Sequence, residues 1–141
     1  MQDLTIGDLA RETGVKVPTI RFYEQIGLMP EAPRTPSNRR LYGEAERKRL
    51  SFIRHARDLG FEIDDIRSLL AIAQEPQASC HEADSIARKH LLAINSRIER
   101  LTALREELER MVRECGHGRI CDCRVISVLA DHDQCLHDQH A

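Results

Sequence analysis

From Ala83 to Glu114 the chain contains neither glycine nor proline, and its apolar residues recur on alternating steps of three and four. Ala87, Leu91, Ile94, Ile98, Leu101, Leu108, Val112 and Cys115 fall on one stripe, with Arg105 the single polar interruption. A stripe sustained over about four heptads is a coiled-coil seam. One helix cannot bury such a seam against itself, and no turn signal inside the run lets the chain fold back. The partner helix is therefore expected from a second copy, which makes the protein a homodimer.

Eight of the last 27 residues are cysteine or histidine: Cys115, His117, Cys121, Cys123, His132, Cys135, His137 and His140. The fifth cysteine, Cys80, stands 35 positions before Cys115. Thiolate and imidazole donors at this density point to a thiophilic metal. A helix rising about 1.5 Å per residue holds Cys80 and Cys115 roughly 50 Å apart within one chain. A metal bound by both therefore needs two chains running in opposite directions. The opening Met1-Gln2-Asp3-Leu4 lacks the regions of a signal peptide, and no run approaches the ~18 apolar residues of a membrane span. The expected location is cytoplasmic, where clustered thiols stay reduced. The odd count of five cysteines also speaks against a closed set of intrachain disulfides.

A net charge of −2 hides an asymmetry: residues 1–60 carry eleven Lys/Arg against eight Asp/Glu, and the remainder carries ten against fifteen. A basic front suits a nucleic-acid surface, because attraction to phosphate is local. Thr5 is placed to cap a helix over residues 5–13, with Asp8 three positions on and Ile6, Leu9 and Ala10 as its apolar stripe. Gly14 ends that helix, and Pro18 stands near the start of a second that stops at Gly27. Two short helices joined this way form a helix-turn-helix unit. Pro30, Pro33 and Pro36 then disfavour helix while Arg34, Arg39 and Arg40 add charge, so a basic wing is expected up to Tyr42. Residues 44–58, packed through Leu50, Phe52, Ile53 and Ala56, and 62–73, packed through Ile63, Ile66, Leu69 and Leu70, read as two further helices. Gly116 and Gly118 can end the long helix. Val125 to Ala130 suggest a short apolar helix over the loop, ahead of a polar tail.

This succession resembles the MerR family of transcription regulators over nearly the whole chain. Ile6-Gly7-Asp8-Leu9-Ala10 with Thr13-Gly14-Val15 is similar to the family's opening helix. Thr19-Ile20-Arg21-Phe22-Tyr23-Glu24 with Gly27-Leu28 is similar to its most recognisable signature. Arg39-Arg40-Leu41-Tyr42 resembles the wing, and Phe52 to Phe61 the segment after it. Arg39 departs from the tyrosine of many members; Asn38 before it suits a left-handed turn. The resemblance implies a mainly α protein: a winged helix-turn-helix DNA-binding domain over 1–75, a hinge at 76–79, a dimerisation helix over 80–115 forming an antiparallel coiled coil, and a metal-binding loop and tail over 116–141.

The match looks nearest to the zinc, cadmium, lead and mercury sensors of that family. In those, a cysteine opening the long helix of one subunit joins two from the C-terminal loop of the other. Carried across, the ligands are Cys80, Cys115 and either Cys123 or Cys121, with Cys123 preferred because its eight-residue step leaves more room for a loop. His117 is a further candidate ligand or a solvated loop residue, and His132, Cys135, His137 and His140 are a second metal site or a polar tail. The copper(I) branch has a similar loop but serine where this chain has Cys80, so Cys80 favours Zn(II), Cd(II), Pb(II) or Hg(II) over Cu(I). Thiolates suit all four divalent ions and do not separate them.

For DNA, the candidate contacts are Lys16, Thr19, Arg21 and Tyr23 on and before the second helix, with Arg34, Arg39, Arg40 and Tyr42 on the wing. Tyr42 has the alternative of packing the wing against the domain. The implied activity is transcriptional activation: the dimer binds double-stranded promoter DNA and, on binding metal, distorts the operator so that RNA polymerase engages it. A copper(I)-responsive regulator and a redox-sensing regulator are the alternatives. No enzyme is expected, since nothing pairs a nucleophile with a base in an identifiable pocket. The protein should sediment as a dimer; a monomer would leave the seam without its partner and the two-chain metal site without its second half.

Overall fold

Six helices organise the described part of this computed structural model, which covers residues 3–37, 39–115, 118 and 123–131. Helix α1 (Ile6–Thr13) begins at a reciprocal cap: the Asp8 N–H donates to Thr5 Oγ1 and the Thr5 N–H to Asp8 Oδ2, both at 3.2 Å. It ends at Gly14, whose φ of 75° lies in the left-handed region. A Cβ at that position would run into the guanidinium of Arg54, which donates to the Thr13 carbonyl. Helix α2 (Val17–Gln25) follows, with Pro18 in its first turn and Ile20 and Tyr23 facing the core. The pair α1–α2 is the helix-turn-helix.

Beyond α2 the N–H groups of Leu28 and Met29 both donate to the Tyr23 carbonyl, at 2.9 and 3.0 Å, which folds these two side chains into the core. The wing follows. Thr35 N–H donates to the Arg39 carbonyl at 2.7 Å and Leu41 N–H to the Pro33 carbonyl at 3.1 Å, pairing Arg34 with Arg40 antiparallel. A second antiparallel bridge, Leu4 to Tyr42, ties the wing's end to the start of the chain by 2.8 Å bonds in both directions. Asn38, expected in a left-handed turn, lies outside the described residues.

One carboxylate joins α2 to the wing. The Glu24 side chain is 4% exposed and accepts from Arg40 Nη1 at 2.9 Å and from the Tyr42 hydroxyl at 3.2 and 3.3 Å. A longer bond from the Ala32 N–H, 3.5 Å, reaches the same group. Tyr42 is fully buried, and that burial, followed by the Glu24 charge, raises its phenol above the ordinary value.

Helices α3 (Glu44–Asp58) and α4 (Ile63–Ala73) close the core with Leu50, Ile53, Ala56, Ile66 and Leu70. Phe52, expected in that core, is instead 37% exposed. It sits two residues after Leu50, about 200° around the helix, so it faces outward. Several arginines are used for scaffolding: Arg49 donates to the Leu28 carbonyl at 2.8 Å, Arg57 to that of Phe61 at 2.8 Å, and Arg67 to that of Ile26 at 3.1 Å.

The chain divides into two compact units, Met1–Ile86 and Ala87–Ala141. Helix α5 (His81–Arg113) is one uninterrupted run of 33 residues. On it Leu91, Ile98, Leu101, Leu108 and Val112 are each more than half exposed, so this part of the stripe has no cover among the described residues of its own chain. Leu92, off the stripe, is also exposed. In the second unit Met111 and, on the short α6 (Arg124–Ala130), Val128 are buried. No helix is long and apolar enough to cross a membrane among the described residues.

The Glu24 junction makes a stability prediction. Glu24→Ala strands the Arg40 guanidinium and the buried Tyr42 hydroxyl and should cost about 2–3 kcal/mol in urea unfolding. Glu24→Gln, which keeps an acceptor for Tyr42, should cost roughly half as much.

Candidate nucleic-acid interface and metal centre

Helical periodicity decides which side chains α2 offers to solvent. With Ile20 and Tyr23 turned inward, Pro18, Arg21, Phe22 and Gln25 form the exposed stripe at steps of three, four and seven. Lys16, at the N-cap, is exposed and Thr19 half-buried. Arg34 and Arg39 are exposed on the two limbs of the wing. Between α1, α2 and the wing lies a cleft of about 950 Å³ lined by Arg21, Arg34, Arg39 and Arg40 together with Thr5, Ile6, Glu24, Gln25 and Glu31. Arginines from a helix and a wing converging on one cleft can grip phosphate oxygens on a duplex.

Two expected contacts are corrected by burial. Tyr42 has no exposed surface, and its hydroxyl is donated to Glu24. Tyr23 is 7% exposed, because it occupies the inward position three residues after Ile20. Arg40 is turned inward as well: Glu24 first, and then its other neighbours, raise its pKa, and Glu31 Oε1 lies 3.3 Å from its Nη2. It holds the wing in place more than it reaches outward. Phe22, 47% exposed beside Arg21, and Gln25 are surface residues that sequence reasoning missed. Once Ile20 and Tyr23 were assigned to the core, the helical period would have found both.

The second site begins where α5 ends. Cys115 follows the last turn of α5, and Cys123 is the N-cap of α6. Their Sγ atoms lie 3.9 Å apart, both residues half-buried and both thiols free. Two thiolates on a tetrahedral ion, each about 2.3 Å from it, are separated by about 3.8 Å. The pair therefore stands close to the spacing that two thiolates take on a zinc ion. The Ile126 N–H, and more weakly that of Val125 and the Cys115 thiol, hold Cys123 below the ordinary thiol range despite partial burial, favouring the thiolate that a metal needs. Glu114 Oε2, one residue before Cys115, is 2.6 Å from Nε of Arg124, one residue after Cys123.

Cys80 is exposed just ahead of the first turn of α5, where its carbonyl accepts from the Asp84 N–H at 2.9 Å. His117, Cys121 and the tail residues His132, Cys135, His137 and His140 lie outside the described residues. Among the described residues of one chain, no group of three donors converges.

With this geometry in place, the comparisons agree on a class. Residues 4–72 match the MerR HTH family regulatory proteins, and residues 47–111 match the family described as MerR, DNA binding. The chain belongs to the MerR family: it is a DNA-binding transcriptional regulator and not an enzyme. It is similar to the regulator ZntR of Escherichia coli (strain K12), 40% identical over 128 residues that cover 88% of this chain and 90% of ZntR. Among solved structures it is similar to PbrR691 from Ralstonia metallidurans CH34 in complex with lead(II), with a TM-score of 0.77 and 34% identity over 89% of this chain and 98% of that one. The MerR of Bacillus megaterium MB1 in complex with mercury(II) has a TM-score of 0.65 and 29% identity over 91% of this chain and all of that one.

The cleft yields a prediction by salt titration. Arg39→Ala should weaken promoter binding evenly across sequences and flatten the slope of log K against log salt by about 0.9. Arg21→Ala should do the same or, where it reads a base, cost about 1–3 kcal/mol at one operator position. Tyr42→Phe should change stability and leave the salt slope untouched.

Proposed function

We propose that this protein is a metal-responsive transcriptional activator that works as an antiparallel homodimer on promoter DNA. The carrying observation is the 3.9 Å separation of Cys115 and Cys123, two free thiols at the spacing a tetrahedral divalent ion requires. The exposed stripe of α5 supports the dimer, since a second copy is what would cover Leu101, Leu108 and Val112. An antiparallel pairing carries the partner subunit's Cys80 to the end of α5 and completes a three-thiolate set. The similarity to ZntR, to a lead(II) complex and to a mercury(II) complex supports a divalent inducer drawn from zinc, cadmium, lead and mercury.

In this reading Cys115 and Cys123 of one subunit, with the partner subunit's Cys80, hold the ion, while His117 and Cys121 are the alternative or additional donors. Bound there, the ion supplies a cross-link between thiolates of two subunits. Arg21, Arg34 and Arg39, helped by Lys16 and Thr19, hold the operator by its phosphates. The segments 1–75, 76–79, 80–115 and 116–141 act as reader, hinge, dimer helix and sensor. Tighter metal binding in one arrangement of the dimer provides the free energy for bending the operator, of order 1–6 kcal/mol for smooth deformation. RNA polymerase then engages the realigned promoter. Such a regulator acts in the cytoplasm.

Run-off transcription from the cognate promoter tests this. Cys115→Ser and Cys123→Ser should each abolish induction by Zn, Cd, Pb and Hg while leaving operator binding by the metal-free dimer intact. Cys80→Ser should do likewise. Induction by Cu(I) that survives Cys80→Ser would replace the divalent reading with a copper(I) regulator, and chelation of the metal should return transcription to the basal level.

A further inference from the structure

We infer that Glu114 and Arg124 form a latch that sets the spacing of Cys115 and Cys123 before any metal arrives. The inference rests on the reading of those two cysteines as metal ligands. Its basis is positional. Seven residues separate Cys115 from Cys123, and that length of chain is compatible with many end-to-end distances. Glu114 and Arg124 stand immediately outside the two thiols in sequence. Their 2.6 Å ion pair joins the same two chain ends as the 3.9 Å sulfur pair.

The latch is supported from the helix side. Arg110, one turn earlier on α5, lies 3.6 Å from Oε2 of the same Glu114 carboxylate and is 15% exposed. Glu114 therefore sits between two guanidinium groups, one on α5 and one opening α6. Glu107, Arg110, Met111 and Glu114 follow one another at helical steps along a single face of α5. Glu107 and Met111 are buried on that face, and Arg124 and Val128, four residues apart, share a face of α6. The ion pair thus lies on the same helical faces as the buried Met111 and Val128. Glu114 and Arg124 are positioning residues: the Glu114 carboxylate is engaged by two guanidinium groups, Arg124 offers no lone pair to a metal, and both act through the thiol next to them. Holding ligands at binding distance in the metal-free protein lowers the ordering cost of capture.

The full-length protein tests this with Glu114→Gln, Arg124→Gln, the double variant and Arg124→Lys. Zn(II) affinity is read by competition with a chromophoric chelator. A second readout uses no metal: the rate at which dibromobimane bridges Cys115 to Cys123, with the bridge located by peptide mapping. Each single Gln variant should lose about tenfold in Zn(II) affinity and bridge more slowly. The double variant should be no worse than the poorer single, because either change opens the same latch. Arg124→Lys should retain most of both signals. The helical circular dichroism and the operator affinity of the metal-free protein should match wild type throughout. Wild-type bridging and affinity in the single variants, or losses that add in the double, would overturn the latch. Cys115→Ser separates the two ideas. If it binds Zn(II) as wild type does, the metal-site reading itself fails; if it loses binding while Glu114→Gln does not, the latch alone fails.

Discussion

The buried Glu24 carboxylate is the contact on which the DNA-facing unit depends. Without it the wing is a proline-rich limb and a short return limb joined through the Arg34–Arg40 bridge, too short to hold a fixed angle alone. With it, α2 and the wing share one charge: Arg40 and Tyr42 come from the wing side, and the acceptor comes from the helix. A carboxylate so poorly exposed requires partners to offset its lost hydration, and supplying them fixes the wing against α2. The convergence of Arg21, Arg34 and Arg39 on one cleft follows from that junction.

The second unit is governed by an opposite circumstance. Helix α5 carries apolar surface that the described residues of its own chain do not bury, and beyond its C-terminal end the sulfurs of Cys115 and Cys123 stand 3.9 Å apart. On the function proposed above, a second copy laid head to tail completes both features, and sensing and dimerisation share one helix.

Much of the fold was legible because it is local. Thr5 with Asp8 announced the start of α1, Gly14 its end, and the glycine- and proline-free run the long helix, each within a residue or two of the observed bounds. Side-chain direction was less legible. Tyr23 and Phe52 were each assigned by residue type and neighbourhood, and each faces the other way, while Tyr42 takes the packing role that was its alternative. Tyrosine is amphipathic, so its position on a basic helix or wing suggests a contact, whereas a buried hydroxyl with a carboxylate to meet is equally satisfied. Arg40 was misleading for the same reason, since a sequence does not say whether an arginine's partner is a phosphate or a glutamate.

What the sequence alone determined is the class of protein: its helix order, its uncovered stripe, its cysteine spacing and the family these compose. These rest on periodicity, capping and turn chemistry, which act between residues close along the chain. Tertiary structure decided which cationic side chains point outward, that Glu24 anchors the wing, and that the sulfurs of Cys115 and Cys123 lie 3.9 Å apart with Glu114 and Arg124 paired beside them. Those depend on how separate elements pack, and an eight-residue step in sequence is compatible with many distances until the two helices at its ends are placed.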